Sequence, residues 1–245
     1  MGGKIYVVGI GPGHPSQRTF AAIDAIAKSE VVVGYETYIK LVEDLLGGKE
    51  VVSAKMRQEV YRAEVSIAKA LEGKTVALVS DGDPQVFGMA PLLFEMLAKR
   101  GISVDVEVVP GVTAALAAGA RLGSPLGSDF VVLNLSPLLT PEDVILHRAL
   151  KAAEGDFVIA LYNPIDSGLL RRVLEVVKAV RGPSTPVGVV KNAYREGEAV
   201  KITTLGEVDV DEVDMRTILI VGNSETFVWG SYMITPRGYS RKYRL

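Results

Sequence analysis

The chain has no cysteine among its 245 residues. That excludes a disulfide framework, a thiolate metal site and a cysteine nucleophile. Histidine is nearly absent too. His14 lies in a glycine turn and His147 in a helical stretch, and with no His–Glu–His spacing no resident transition metal is expected. No apolar run approaches the roughly 20 residues that span a bilayer. The chain enters an apolar segment at Lys4 without a charged leader, so a cytoplasmic protein with no membrane partner is expected. Neither sign of charge dominates: 27 Lys and Arg stand against 29 Asp and Glu, a net charge of −2. That balance gives no reason to expect nucleic acid as a partner. A G-x-S-x-G elbow, a Walker loop and internal repeats are also missing.

What remains is an apolar chain, 48% hydrophobic, in which short β-branched runs alternate with helical periods. Strands are expected at Lys4–Val8, Val31–Val33, Glu50–Ser53, Thr75–Val79 and Asp105–Val109, the pattern of a buried parallel sheet. Helices are expected over Arg18–Ala27 (N-cap Thr19 or Ser16), Tyr38–Leu46, Val60–Leu71, Ala90–Arg100 and Ala114–Leu122. Turn formers then cluster in Leu122–Ser128, which reads as a linker. The expectation is therefore two α/β domains, residues 1–122 and 123–245. In the second, strands at Phe130–Leu135, Phe157–Leu161 and Val187–Lys191 alternate with helices at Pro141–Ala153 and Leu169–Val180. Strands at Glu198–Thr203 and Thr217–Val221 follow with no strong helix between them, so this sheet is expected to be mixed. Tyr232–Ile234 reads as an edge strand.

The strand ends carry the chemistry. Val79-Ser-Asp81-Gly82-Asp83-Pro84-Gln85-Val86-Phe87-Gly88-Met89 joins a strand to a helix, and an open α/β sheet binds ligands at the carboxyl ends of its strands. Asp81 and Asp83 repel phosphate and suit a ligand with hydroxyls, an amine or a positive charge. Acting as turn formers is the alternative, and both readings stay open. Gly9-Ile-Gly11-Pro12-Gly13 also follows a strand, but His14 stands where G-x-G-x-x-G needs glycine. Pro12 also lacks the N–H that a pyrophosphate would use. Thr113 could cap its helix or meet a ligand. Tyr162-Asn163-Pro164 and Lys191-Asn192-Ala193 are strand-end turns of the second half.

Together with Val33-Gly-Tyr-Glu-Thr-Tyr38, Pro110-Gly-Val-Thr-Ala114, Leu138-Leu-Thr-Pro141, Val221-Gly-Asn-Ser224 and Thr235-Pro-Arg-Gly-Tyr239, these segments resemble the tetrapyrrole methylases. Gly-Tyr-Glu-Thr-Tyr and Leu-Leu-Thr-Pro resemble the branch that methylates C-17 of precorrin-3B, or its cobalt analogue, with ring contraction. The resemblance implies a cofactor, S-adenosylmethionine, in a cleft between the domains. By motif it would touch Pro12, Gly82, Asp83, Val86, Phe87, Thr113, Ala114, Tyr162, Asn163, Asn192 and Ala193. It implies a small-molecule tetrapyrrole substrate and a homodimer. Lys55, Arg57, Arg62, Arg148, Arg195 and Arg237 are candidates to meet the macrocycle's carboxylates. Asp129, Ser136 and His14 are candidates for the proton transfers of ring contraction. The chain departs from the family pattern at Gln85, Phe87, Ser128, Pro137, Glu142 and Ile165, which leaves the cofactor contacts better supported than the substrate contacts. Methylation elsewhere on the macrocycle, methylation of a protein or RNA, and nucleotide binding without methyl transfer are the alternatives.

Overall fold

The computed structural model describes residues 2–244; Met1 and Leu245, the outer ends of the two expected domains, lie outside the described residues. Strands β1 (Lys4–Gly9), β2 (Val31–Tyr35), β3 (Glu50–Ala54), β4 (Thr75–Ser80) and β5 (Asp105–Val109) form a wholly parallel sheet in the order β3-β2-β4-β1-β5. The inner strands β2 and β4 are nearly all buried because both faces are covered, while the edge strands β3 and β5 carry exposed Glu50, Asp105 and Glu107. Ile5, Val7, Val76 and Leu78 pack with α3 (Glu59–Leu71) and α4 (Met89–Arg100). Val8, Ile10, Ala77 and Val79 pack on the other face with Ala22, Ala25 and Ile26 of α1 (Phe20–Lys28). Thr19, not Ser16, caps α1, accepting the Ala22 N–H at 3.1 Å.

The helix expected over Tyr38–Leu46 is broken. It begins earlier, as α2 (Glu36–Lys40), and gives way to a 3-10 turn at Glu43–Leu45. The cause is Arg18. Its buried guanidinium takes the Leu41 carbonyl that a longer helix would have used, and it grips Asp44 with two bonds of 2.8 and 2.9 Å. That fork geometry is strong, and nothing in the local periodicity announces it.

The chain divides into two compact units between Ala114 and Ala115. The boundary expected at 122/123 lies one helix later, and α5 (Ala114–Leu122) accounts for the difference. Leu122 fills the space over Gly188, where a Cβ would stand 2.3 Å from a Leu122 methyl. The Ala115 N–H donates to the Tyr162 hydroxyl at 2.7 Å. A helix of small residues with two such anchors belongs to the second unit.

That unit continues through β6 (Gly123–Ser124), β7 (Phe130–Asn134), α6 (Glu142–Glu154), β8 (Val158–Tyr162), α7 (Ser167–Arg181), β9 (Pro186–Lys191), β10 (Ala199–Thr204) and β11 (Thr217–Val221). Its five-stranded sheet runs β10-β9-β11-β8-β7. Only β7 and β8 pair in parallel; the other neighbours are antiparallel. Ile159, Leu161, Leu219 and Val221 bury one face under Ile145 and Ala149 of α6 and Leu170, Val173 and Val177 of α7. Tyr232–Ile234 is not an edge strand of this sheet. As β13 it is the middle strand of a separate three-stranded sheet, between β12 (Phe227–Trp229) and β6. Part of the expected linker is thus a strand, paired through Gly123 and Met233. A three-residue strand such as β12 is too short to show a period.

Candidate active site

In the first unit the site is built on the carboxyl ends of three neighbouring strands. β1 lies between β4 and β5, with Gly9 level with Ser80 and Val8 level with Val109. The turns after these strands are therefore stacked side by side, and glycine is what lets them touch. A Cβ on Gly9 would lie 2.6 Å from the Gly111 nitrogen and 2.8 Å from the Gly82 carbonyl oxygen. One on Gly11 would lie 2.1 Å from the Val112 oxygen and 2.4 Å from the Gly82 Cα. Only a residue without a side chain allows so close an approach.

The turns hold one another through their own donors. The Ile10 N–H donates to the Ser80 carbonyl at 3.1 Å and the Gly11 N–H to the Gly82 carbonyl at 3.0 Å. Asp81 accepts the Gly82 N–H at 2.8 Å. Asp83 accepts the Gln85 N–H at 2.8 Å on one oxygen and the Gly111 N–H at 3.1 Å on the other. Asp83 is therefore a turn former and a clasp between two strand ends. An ionised carboxylate offers about four lone-pair directions, so accepting two N–H groups still leaves capacity for a ligand's donors. Pro12 is buried beside this clasp, while Val86 is half-buried and Phe87 is 46% exposed. Phe87 also takes a left-handed backbone, φ 56°, a conformation that bulky side chains rarely adopt and that concentrates at functional sites. Thr113 and Ala114 follow Gly111 into α5, both partly exposed.

The second unit has a matching edge. β7, β8 and β9 end on one side of its sheet, where β11 begins. Tyr162, Asn163, Asn192, Ala193 and Ser136 are all brought to this edge. Tyr162 is buried with its hydroxyl on the Ala115 N–H. Asn163 and Asn192 are left-handed, φ 53° and 49°, which asparagine tolerates better than most residues. Asn134, which sequence reasoning missed, ties two of these turns. Its side-chain oxygen accepts the Ser136 N–H at 3.0 Å and the Asn163 amide at 3.1 Å. The available signal was a polar residue closing the apolar run Phe130–Leu133.

A partly exposed ion cluster at this edge supports the same turns. Burial pushes the Asp214 carboxyl up, but the Lys191 ammonium at 2.8 Å, Arg216 and the Thr217 hydroxyl together hold it well below the usual carboxylate range.

Two of the three proton-transfer candidates, Ser136 and Asp129, lie at opposite ends of β7. Ser136 is at the strand-end edge. Asp129 precedes β7 and is exposed, its carbonyl receiving the Val158 N–H at the opposite end of β8. A five-residue strand therefore separates it from Ser136, about 17 Å at the usual rise. His14 is exposed in the first unit and caps a 3-10 turn, accepting the Ser16 N–H at 3.2 Å and bonding the Ser16 hydroxyl at 2.7 Å. Among the basic candidates, Lys55, Arg57, Arg148 and Arg237 are exposed and Arg195 is partly so. Arg62 is not available in that way. Its guanidinium is buried, pairs with Glu59 at 3.3 Å and braces the Lys55 carbonyl at 3.3 Å. No group of three or more His, Asp or Glu able to hold a metal occurs among the described residues. No helix among them is long and apolar enough to cross a membrane.

Two α/β units, one with a parallel sheet ending in glycine-packed acidic turns and one with a mixed sheet, define the class. The family model for tetrapyrrole (corrin/porphyrin) methylases matches residues 4–209, and the chain belongs to that family. It is 45% identical over 96% of its length to a probable cobalt-factor III C(17)-methyltransferase of Salmonella typhimurium, covering 98% of that protein. It is 39% identical to the precorrin-3B C(17)-methyltransferase of a Sinorhizobium species, over 98% of both chains. It is also 48% identical to the cobalamin biosynthesis protein CbiHC of Archaeoglobus fulgidus, of which it spans 54%. Among solved structures, the methyltransferase CobJ superposes with a TM-score of 0.90 at 34% identity, covering 96% of this chain and all of the other.

Proposed function

We propose that the chain methylates C-17 of a contracting tetrapyrrole ring in cobalamin synthesis, with S-adenosylmethionine as methyl donor. The observation that carries this reading is the donor and acceptor balance of the first unit's turns. Five N–H groups that could have met a phosphate, those of Ile10, Gly11, Gly82, Gln85 and Gly111, are spent within the protein. Pro12 has none to give. What the turns keep is carboxylate and carbonyl oxygen. Such a surface disfavours a dinucleotide and suits ribose hydroxyls, an ammonium and a sulfonium, and the glycine contacts leave bare backbone for a ligand to lie against. The cofactor therefore fits the residues present.

When bound, S-adenosylmethionine supplies a methyl group on a positive sulfur that leaves as a neutral thioether. The protein's part is to hold donor and acceptor carbon in line, where positioning alone can supply much of the rate. Asp83 would accept donors of the cofactor on its remaining lone pairs. Phe87 and Val86 would cover it from the α4 side. Thr113 and Ala114, with Tyr162, Asn163, Asn192 and Ala193, would complete the contacts by family resemblance. Lys55, Arg57, Arg148, Arg195 and Arg237 remain candidates for the substrate's carboxylates, and Ser136 for a proton-transfer role at the strand-end edge. The chain is further proposed to be a homodimer. The exposed Phe227, Val228, Trp229 and Tyr232 of the β12–β13 hairpin support a surface covered by a second copy.

The test offers cobalt-factor III and precorrin-3B separately with S-adenosylmethionine. One of them should gain a single methyl group at C-17, read by mass spectrometry and NMR. Methylation only of an earlier or later intermediate would overturn the C-17 assignment and leave the methylase reading. Tighter binding of NAD than of S-adenosylhomocysteine would overturn the cofactor.

A further inference from the structure

The loop after β9 carries two of the proposed cofactor residues, Asn192 and Ala193, and bends through two left-handed positions. Asn192 is left-handed, and two residues on so is Tyr194, at φ 58°. Glycine would take that shape freely; an aromatic residue takes it only where its surroundings impose it. Glu198 closes the loop, one carboxylate oxygen accepting the Tyr194 N–H at 2.6 Å. The other oxygen meets the Arg121 guanidinium at 2.5 Å. That guanidinium also lies over the Tyr194 ring, 5.3 Å from its centre, within cation–π range. One arginine thus holds both the ring of the strained residue and the carboxylate that satisfies its amide.

Arg121 sits in the last turn of α5, whose first turn is held by the Tyr162 hydroxyl through Ala115. The same helix is fastened at one end to the β8 turn and at the other to the β9 turn. We propose that Arg121 is a positioning residue, which fixes the Asn192–Ala193 turn for the cofactor through Glu198 and Tyr194 without touching the cofactor. This rests on the cofactor reading above. An exposed charge alone would contribute little, but here the ion pair is coupled to a backbone that has an easier shape to relax into.

The test uses the full chain with Arg121→Met, which keeps the side-chain stem and removes the charged fork, and Arg121→Lys, which keeps the charge. Arg121→Met should raise the dissociation constant of S-adenosylhomocysteine by about 2- to 5-fold, with partial recovery in Arg121→Lys. Adding Tyr194→Asn, which tolerates the left-handed shape, should recover most of the affinity in the Met background. Hydrogen exchange at the Tyr194 amide should quicken in Arg121→Met whether or not ligand is present. Unchanged exchange and unchanged affinity would overturn the proposal. So would a lowered melting temperature with unchanged affinity, the mark of a purely structural ion pair. If the wild type binds no S-adenosylhomocysteine, the cofactor reading falls first and this proposal with it.

Discussion

Substituting the glycines of the stacked turns separates two kinds of constraint, space and backbone shape. Gly11→Ala puts a methyl 2.1 Å from the Val112 oxygen and 2.4 Å from the Gly82 Cα. Both are backbone atoms, so no side chain can swing aside and one turn must move. Overpacking of this kind costs about 3 kcal/mol at the upper end of its usual range. Separating the turns also stretches the 3.0 Å Gly11 to Gly82 hydrogen bond, about 1 kcal/mol more. Gly82→Ala differs. Its φ is +56°, but its new methyl would find nothing nearer than 3.5 Å. The cost is then the left-handed backbone alone, about 1–2 kcal/mol, less some tenths for the stiffer unfolded chain. Urea unfolding with unchanged m should therefore show a loss of about 4 kcal/mol for Gly11→Ala, a large share of a typical domain's stability. It should show about 1 kcal/mol for Gly82→Ala, and less still for Gly82→Asn. Calorimetry should find S-adenosylhomocysteine binding lost in the first and weakened in the second. A Gly11→Ala loss smaller than that of Gly82→Ala would refute the close-contact reasoning.

Asp83→Asn should do two things: weaken S-adenosylhomocysteine by about 1.5–3 kcal/mol if the carboxylate accepts charge-assisted bonds, and lower stability by about 1 kcal/mol because one of the Gln85 and Gly111 N–H groups loses its acceptor. Calorimetry and urea titration read the two separately, and an unchanged affinity would leave Asp83 a turn former only. Tyr162→Phe strands the buried Ala115 N–H and should cost about 1–3 kcal/mol in urea; a loss below half of that would mean another acceptor replaces the hydroxyl. Asp214 contributes stability above the ordinary carboxylate pKa, and the contribution fades as pH falls through its lowered folded value. Asp214→Asn should thus reduce stability at pH 7 and flatten the acid limb of the stability curve, whereas an unchanged limb would remove Asp214 from the acid response.

What the sequence made legible was local. Strand-end turns at Gly9, Gly82 and Pro110 were readable because each lies between an apolar run and a helical period, and a parallel sheet puts such turns on one side. Their contact was not readable, since it depends on strand order, and β1 lies between β4 and β5, neither of which is the next strand after it in the chain. The domain boundary slipped by one helix for a similar reason. The Leu122 contact with Gly188 and the Ala115 bond to Tyr162 join residues far apart in sequence. Asn134 is an ordinary polar residue whose partner is set by sheet register, and Arg121 meets Glu198 only because α5 packs over β9, so neither pairing shows in the local sequence.

Pro12 bears on ligand chemistry both in the sequence and in the structure. In the sequence it argued against a pyrophosphate by removing one donor from a glycine turn. The structure extends that argument from one donor to a whole surface, because the neighbouring N–H groups are occupied by Ser80, Asp81, Gly82 and Asp83. A Rossmann turn keeps its glycine amides outward for phosphate; these glycines spend theirs on one another's strands. The same residue type thus serves opposite ligand chemistries, and the direction in which its amides point decides between them. Backbone that packs against backbone needs glycine for space, and once its donors are satisfied internally it presents oxygen to the outside. A site of that kind suits a ligand that brings its own hydrogens and positive charge, as the cofactor proposed above does, better than it suits a dinucleotide.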